Sequence, residues 1–292
     1  MNAPPGLVEA FDLSLRVQAS RFATALGGRQ ASAAELDNLF LDLVALARPS
    51  EFLEVGAAAA EASLEVSWRL PDCRVRAFEA TPEIAAATRA SGVLEGTRVE
   101  YIHCAIGDTD GTCDILLDVT PSGAVLPGQS MLRRSDAAHV RSVTVPSARL
   151  DTLVEDPTAR LAMWIDVEGA LGLVLDGAQR ALGQVEVLKV EVEDAEIWRG
   201  QSTVRSVLTR LMTAGLVPVA RDVEYAGQYN LLLVGRDVYW DELVRARIDE
   251  YLHRTSHELW AEPGPLRRSE ALRAIARPVR RVARGLRGRL AP

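Results

Sequence analysis

The sequence predicts an α/β fold, a doubly wound and mostly parallel sheet of seven strands that ends in an antiparallel hairpin. Three observations predict it. From Glu51 onward, short apolar runs alternate with amphipathic stretches, the pattern of a parallel sheet with helices on both faces. The first run, Glu51-Phe-Leu-Glu-Val, meets a single glycine, Gly56, and passes into the helix-forming stretch Ala57 to Ser63. Such a turn brings backbone close to a ligand at a helix N-terminus. The last two apolar runs have no helix between them, only the turn-like segment Arg221 to Gln228.

Each element follows in order. Residues 1–49 form an N-terminal helical cap, placed over a ligand pocket or against the sheet edge. Its apolar positions Leu36, Leu39, Phe40, Leu43 and Val44 recur at helical spacing. Gly27-Gly28 splits it into two helices, Ser32-Ala-Ala-Glu35 reads as a capping box for the second, and Pro49 ends it. The α/β domain spans 50–238. Its strands are expected at 51–55, 74–79, 98–104, 161–166, 185–192, 216–220 and 229–235, with helices at 58–70, 82–91, 170–182 and 201–214. Residues 107–150 break the rhythm. They are rich in strand and turn signals and read as a β insertion between strands three and four, with a mobile loop near Ser130. Insertions at that edge border the ligand crevice, so this one is a candidate lid. Residues 239–292 hold a helix from Asp241 to Trp260 and a basic tail whose apolar residues return at helical spacing, kinked at Pro278.

Composition narrows the classes. The chain has 292 residues, 48% of them apolar, and a mean hydropathy of +0.04. It contains no run of eighteen apolar residues and no charged-then-apolar leader at its start. Its cysteines, Cys73, Cys104 and Cys113, show no metal-binding spacing and suit a reducing compartment, so a cytoplasmic location is expected. Nine arginines and one glutamate lie between Arg267 and Arg289, a local charge of +8, which leaves −15 on the rest of a chain whose net charge is −7. An acidic body argues against nucleic acid as a partner. The basic tail allows peripheral contact with an anionic membrane or with a protein partner, a second copy of the chain included.

Five blocks, Glu54-Val-Gly-Ala, Ala77-Phe-Glu79, Ala105-Ile-Gly-Asp-Thr-Asp-Gly111, Val143 to Asp151, and Ile165-Asp-Val-Glu-Gly-Ala170, occur in an order that resembles FkbM-type methyltransferases. The resemblance covers roughly residues 50 to 236. It implies a class I methyltransferase-like fold, S-adenosylmethionine as cofactor, and a small-molecule or glycan acceptor methylated on oxygen. The chain departs from the family in the glycine turn. Where the family has Asp-x-Gly-Ala-Asn-x-Gly, this chain has Glu54-Val-Gly-Ala-Ala-Ala-Ala60. That departure supports a second reading, a catalytically degenerate binding or assembly module. The missing glycines and the terminal hairpin both disfavour a nicotinamide site.

Roles follow from chemistry under this resemblance. Glu54 and the Gly56, Ala57, Ala58 turn face the amino-acid end and ribose of the cofactor, and Glu79, 25 positions after Glu54, accepts both ribose hydroxyls. Ala80, Ala105 and Ile106 flank adenine. Asp108 accepts from the adenine amino group, or is simply a turn residue. Methyl transfer needs alignment and a proton acceptor. Asp166 is the first candidate, and Glu168 the second unless it caps a helix starting at Gly169. His139, in the insertion, is the alternative base. His103 reads as structural, and the His253, His257 pair lacks a third ligand. Glu191 and Glu193 extend the acidic edge. A divalent metal there is possible, but no tight ligand spacing assigns one. Trp198 and Trp240 read as core or lid aromatics.

Overall fold

Alternation of apolar side chains along the strands produces two buried faces, each covered by helices. A computed structural model describes residues 7–12, 14–15, 29–122, 125, 129–225 and 227–257. The Gly27-Gly28 break, the end of the last helix at Trp260 and the basic tail lie outside the described residues. In chain order the elements are α1 (Arg29–Ala47), β1 (Glu51–Val55), α2 (Glu61–Arg69), β2 (Arg74–Glu79), α3 (Pro82–Ala90), β3 (Val99–His103), β4 (Ala105–Ile106), β5 (Gly111–Asp118), β6 (Val140–Ala148), α4 (Leu150–Leu153), β7 (Leu161–Ile165), α5 (Leu171–Asp176), β8 (Val185–Glu193), α6 (Val204–Thr213), β9 (Leu216–Arg221), β10 (Gln228–Gly235), α7 (Arg236–Tyr239) and α8 (Glu242–His257).

The main sheet has the order β3-β2-β1-β7-β8-β10-β9. β1, β2, β3, β7 and β8 run parallel, while β10 runs antiparallel to both β8 and β9. The expected hairpin is therefore present, with β10 inserted beside β8. β4, β6 and β5 form a separate three-stranded sheet, which makes the β insertion of the sequence an independent layer.

Period two along each strand sorts the core. Leu53, Val55, Met163, Ile165, Leu188 and Val190 pack with α5 and α6. Phe52, Ala162 and Val187 face the other way, onto Leu36, Leu39, Phe40 and Leu43 of α1, with α2 and α8 beside it. Phe40 meets Trp164 edge-on at 5.4 Å. The N-terminal cap thus lies across a sheet face and closes one side of the ligand edge. Residues 7–12 are helical and reach α6 through a Glu9–Arg205 ion pair of 2.9 Å.

One expectation fails in α1. The helix begins at Arg29, so Ser32 lies inside it and not at its N-terminus. Buried Ser32 instead accepts a hydrogen bond from Val223 N at 3.1 Å, tying α1 to the end of β9.

Candidate functional site

The parallel strands all end at one edge, and strand order reverses between β1 and β7. A crevice opens at such a switch point because consecutive helices leave on opposite faces. It holds a cavity of about 580 Å³, within the ordinary range for a small-molecule site. Gly56 and Ala58 line it after β1, Glu79 and Ala80 after β2, Ala105 and Ile106 at β4, and Asp166 and Glu168 after β7. The insertion closes it with Ile115, Ser130 and Met131. Ser130 is buried, and its carbonyl accepts from Leu116 N at 2.7 Å, so this residue is pinned to β5 rather than set in a mobile tip.

The turn after β1 is fixed by contacts that the sequence does not display. Gly56 has φ 82°, and a Cβ there would stand 1.7 Å from the Asp166 carbonyl oxygen. Only glycine lets β1 and β7 approach so closely. Gly56 N and Ala57 N both donate to the Phe78 carbonyl at 2.9 Å. Ala58 and Ala60 then adopt left-handed conformations, with φ 41° and 58°, at a cost of about 1–2 kcal/mol each for an L-residue. Ala58 N donates to Glu79 Oε2 at 2.9 Å, and Thr81 N donates to Glu79 Oε1 at 2.6 Å. Glu79 is 6% exposed, so two backbone amides hold its carboxylate at the cavity wall with lone pairs to spare for a diol.

Other predicted residues lie elsewhere. Glu54 shares the α1/α2 face of β1 with Phe52, because it is two residues on. It does not line the cavity. Its Oε2 accepts from Ser63 N at 2.7 Å, at the start of α2, where a carboxylate complements the helix N-terminus. Burial pushes its pKa up to about 7. Ala57 is buried against Ala60 and Ala77 and does not line the cavity either. Asp108 is exposed in the turn before β5, in keeping with the turn reading and not with adenine contact. His139 is exposed, away from the cavity lining, and its carbonyl accepts from Val119 N. The His103 ring bonds the Ala80 carbonyl through Nε2 at 3.0 Å, a structural role.

Asp166 and Glu168 also line a second cavity, of about 330 Å³, under α1. Asp37, Trp164, Lys189, Glu191, Tyr225 and Asn230 complete its main walls. The two cavities therefore meet at these carboxylates. Glu168 does not cap α5, which starts at Leu171 with no side-chain cap. It sits instead at φ 49°, followed by Gly169, where a Cβ would strike the Trp198 ring at 2.2 Å. Strained backbone of this kind is held where a site needs the side chain aimed. Asp166 and Glu191 bring carboxylate oxygens within 4.8 Å of each other. Burial is the main cause that raises both pKa values, and for Glu191 the Asp166 charge adds to it. Burial and the Asp166 charge raise that of Glu168 as well. Asp166, Glu168 and Glu191 offer oxygens within 4.8 Å of one another, a spacing that suits one small cation.

The sequence reading missed Asp37, Tyr225, Gln228 and Asn230 as wall residues. A signal for this wall existed in β8. Lys189, Glu191 and Glu193 recur at i, i+2, i+4 in an otherwise apolar strand, which places all three on one face. Antiparallel register then sets Asn230 opposite Glu191 and Gln228 opposite Glu193. Lys189 pairs with Asp37, and its ammonium lies 3.3 Å from the centre of the Trp164 ring.

A seven-stranded sheet with one antiparallel strand beside its edge, and a ligand cavity at the β1 turn, is the architecture of class I methyltransferases. Residues 54–221 match the methyltransferase FkbM domain, and the chain belongs to that family. Solved structures similar to the chain include three methyltransferases. An FkbM methyltransferase from Methylobacillus flagellatus is 13% identical with a TM-score of 0.40, over 64% of this chain and 44% of that one. This chain therefore spans less than half the length of that protein. A precorrin-6y C5,15-methyltransferase from Geobacter metallireducens is 14% identical with a TM-score of 0.37, over 68% and 87% of the two chains. Human N-acetylserotonin methyltransferase, solved with S-adenosylmethionine, is 13% identical with a TM-score of 0.36, over 80% and 60%. No curated protein matches the chain. No helix among the described residues is long and apolar enough to cross a membrane.

Proposed function

We propose that the protein methylates a hydroxyl group of a small acceptor, a sugar or a natural product, at the junction of the two cavities. The single observation that carries this reading is that Asp166 and Glu168 line both. The larger cavity suits S-adenosylmethionine, which supplies an electrophilic methyl group on a sulfonium. Glu79 would accept from the ribose hydroxyls, and Ala80, Ala105 and Ile106 would border the adenine. The Gly56 turn would lie against the amino-acid end.

The smaller cavity would receive the acceptor. Its polar wall of Asp37, Glu191, Tyr225 and Asn230 suits a polyhydroxylated molecule, and the Trp164 face is occupied by Lys189. Asp166 would take the hydroxyl proton at a carboxylate oxygen. Its raised pKa makes it a stronger base than a solvated carboxylate. Glu168 would orient the acceptor from the strained turn. The degenerate-module reading rests on Ala58 and Ala60, and both alanines sit in the left-handed conformation that the missing asparagine and glycine favour.

Isotope-labelled S-adenosylmethionine tests the proposal. Incubation with a panel of sugars and hydroxylated natural products, followed by mass spectrometry, should give a labelled methyl ether with the native protein and none with Asp166→Asn. Equal labelling by the variant would remove Asp166 as the base. Label found only on nitrogen or carbon would overturn the O-methyl assignment.

A further inference from the structure

We propose that Tyr101 and Thr88 form a clamp on Ala58 that replaces the absent asparagine of the turn, and that they set cofactor affinity without touching the cofactor. The proposal rests on the methyl-donor reading of the larger cavity. Neither residue lines that cavity.

The observation is a convergence on one peptide. Ala58 holds φ 41°, a conformation that an L-residue leaves unless something holds it. Its carbonyl accepts two hydrogen bonds, from Tyr101 OH at 2.6 Å and from Thr88 Oγ1 at 2.9 Å. Its N–H donates to Glu79 Oε2 at 2.9 Å. Both polar groups of a strained residue are therefore fixed from outside the turn, by β2, β3 and α3. Tyr101 reaches across from β3, the edge strand, with Leu94 and Val99 packed beside it over Ala57, Ala60 and Ala77. The Arg89 guanidinium lies 5.6 Å from the centre of the Tyr101 ring, and holds it from the side of α3. Thr88 sits one turn from the end of α3, buried at 7% exposure. Burial also keeps the Tyr101 phenol protonated, with its pKa pushed up to about 12, so it stays a donor across the working range.

The consequence runs through Glu79. The same peptide that Tyr101 and Thr88 grip presents its N–H to one carboxylate oxygen of the residue assigned to the ribose. When the grip is released, Ala58 relaxes toward negative φ, its N–H turns away, and Glu79 loses one of the two amides that orient it. A glycine at position 58 has no such preference and would hold the turn without help.

Calorimetric titration with S-adenosylhomocysteine tests this. Tyr101→Phe and Thr88→Val, each checked for folding by thermal melting, should weaken binding by about five- to tenfold, the effect of one lost hydrogen bond. Ala58→Gly added to Tyr101→Phe should restore affinity to within about twofold, which a purely structural tyrosine would not predict. If the native protein binds and both single variants bind equally well, the clamp is wrong. A loss that Ala58→Gly fails to restore is also contrary to it. If the folded native protein binds no S-adenosylhomocysteine, the functional reading falls, and the clamp with it.

Discussion

Gly56 shows how one residue sets the geometry of the site. Its missing side chain admits the Asp166 carbonyl oxygen, so the cofactor turn and the proposed base are held in register by direct backbone contact. Gly56→Ala should destabilise the protein by at least ~2 kcal/mol and abolish S-adenosylhomocysteine binding, since the clash is with main chain and φ is positive. Thermal melting and calorimetry check the two halves. Glu79 offers a cleaner test of binding alone. Glu79→Gln keeps the shape but leaves one side-chain oxygen to serve two backbone amides, and affinity should fall roughly tenfold or more while folding persists. Unchanged affinity would detach Glu79 from the ribose.

Among the elements, β8 matters most: its strand is legible in the sequence, but what its polar face meets is not. Strand positions, the terminal hairpin and the insertion all follow from apolar periodicity, and the structure places them within a few residues of expectation. The first three blocks of the resemblance located Gly56, Glu79, Ala105 and Ile106 at the cavity, because their positions at strand ends are local properties. The second cavity was not legible in this way. Asp37 on α1, Lys189 on β8 and Asn230 on β10 meet only through sheet order and helix packing. Glu54 lies off the cavity wall, and Asp108 lies in an exposed turn, for a related reason: acidity and position do not show which face a strand residue takes, or whether a turn points outward. Lys189 is the part of β8 most open to test. Its positive charge holds the Asp166 pKa down against burial. Lys189→Met should therefore raise that pKa further, so that the rising limb of the pH–rate profile moves to higher pH. A profile that stays in place would separate Lys189 from the base.

On the scale of the whole molecule, buried acids make stability depend on pH. Glu54 and Glu193 are each pushed up to about 7 from 4.5, mainly by burial. Below about pH 4.5 both are protonated in the folded and unfolded states alike. As pH rises, the unfolded chain ionises first, so the folded state loses stability from about pH 4.5 through 7 and levels off above it. The loss is on the order of 3 kcal/mol for each group. The melting temperature of the ligand-free protein should fall across that window, and Glu193→Gln should flatten part of the slope. A melting temperature that rises steadily from pH 5 to 8 would contradict this.

Calorimetric titration of the native protein with S-adenosylhomocysteine at pH 7.5 tests most directly whether the larger cavity is a cofactor site. The expected result is saturable one-to-one binding that competes with S-adenosylmethionine and weakens in Glu79→Gln. A folded protein that gives no binding heat and no thermal shift with either compound would contradict it.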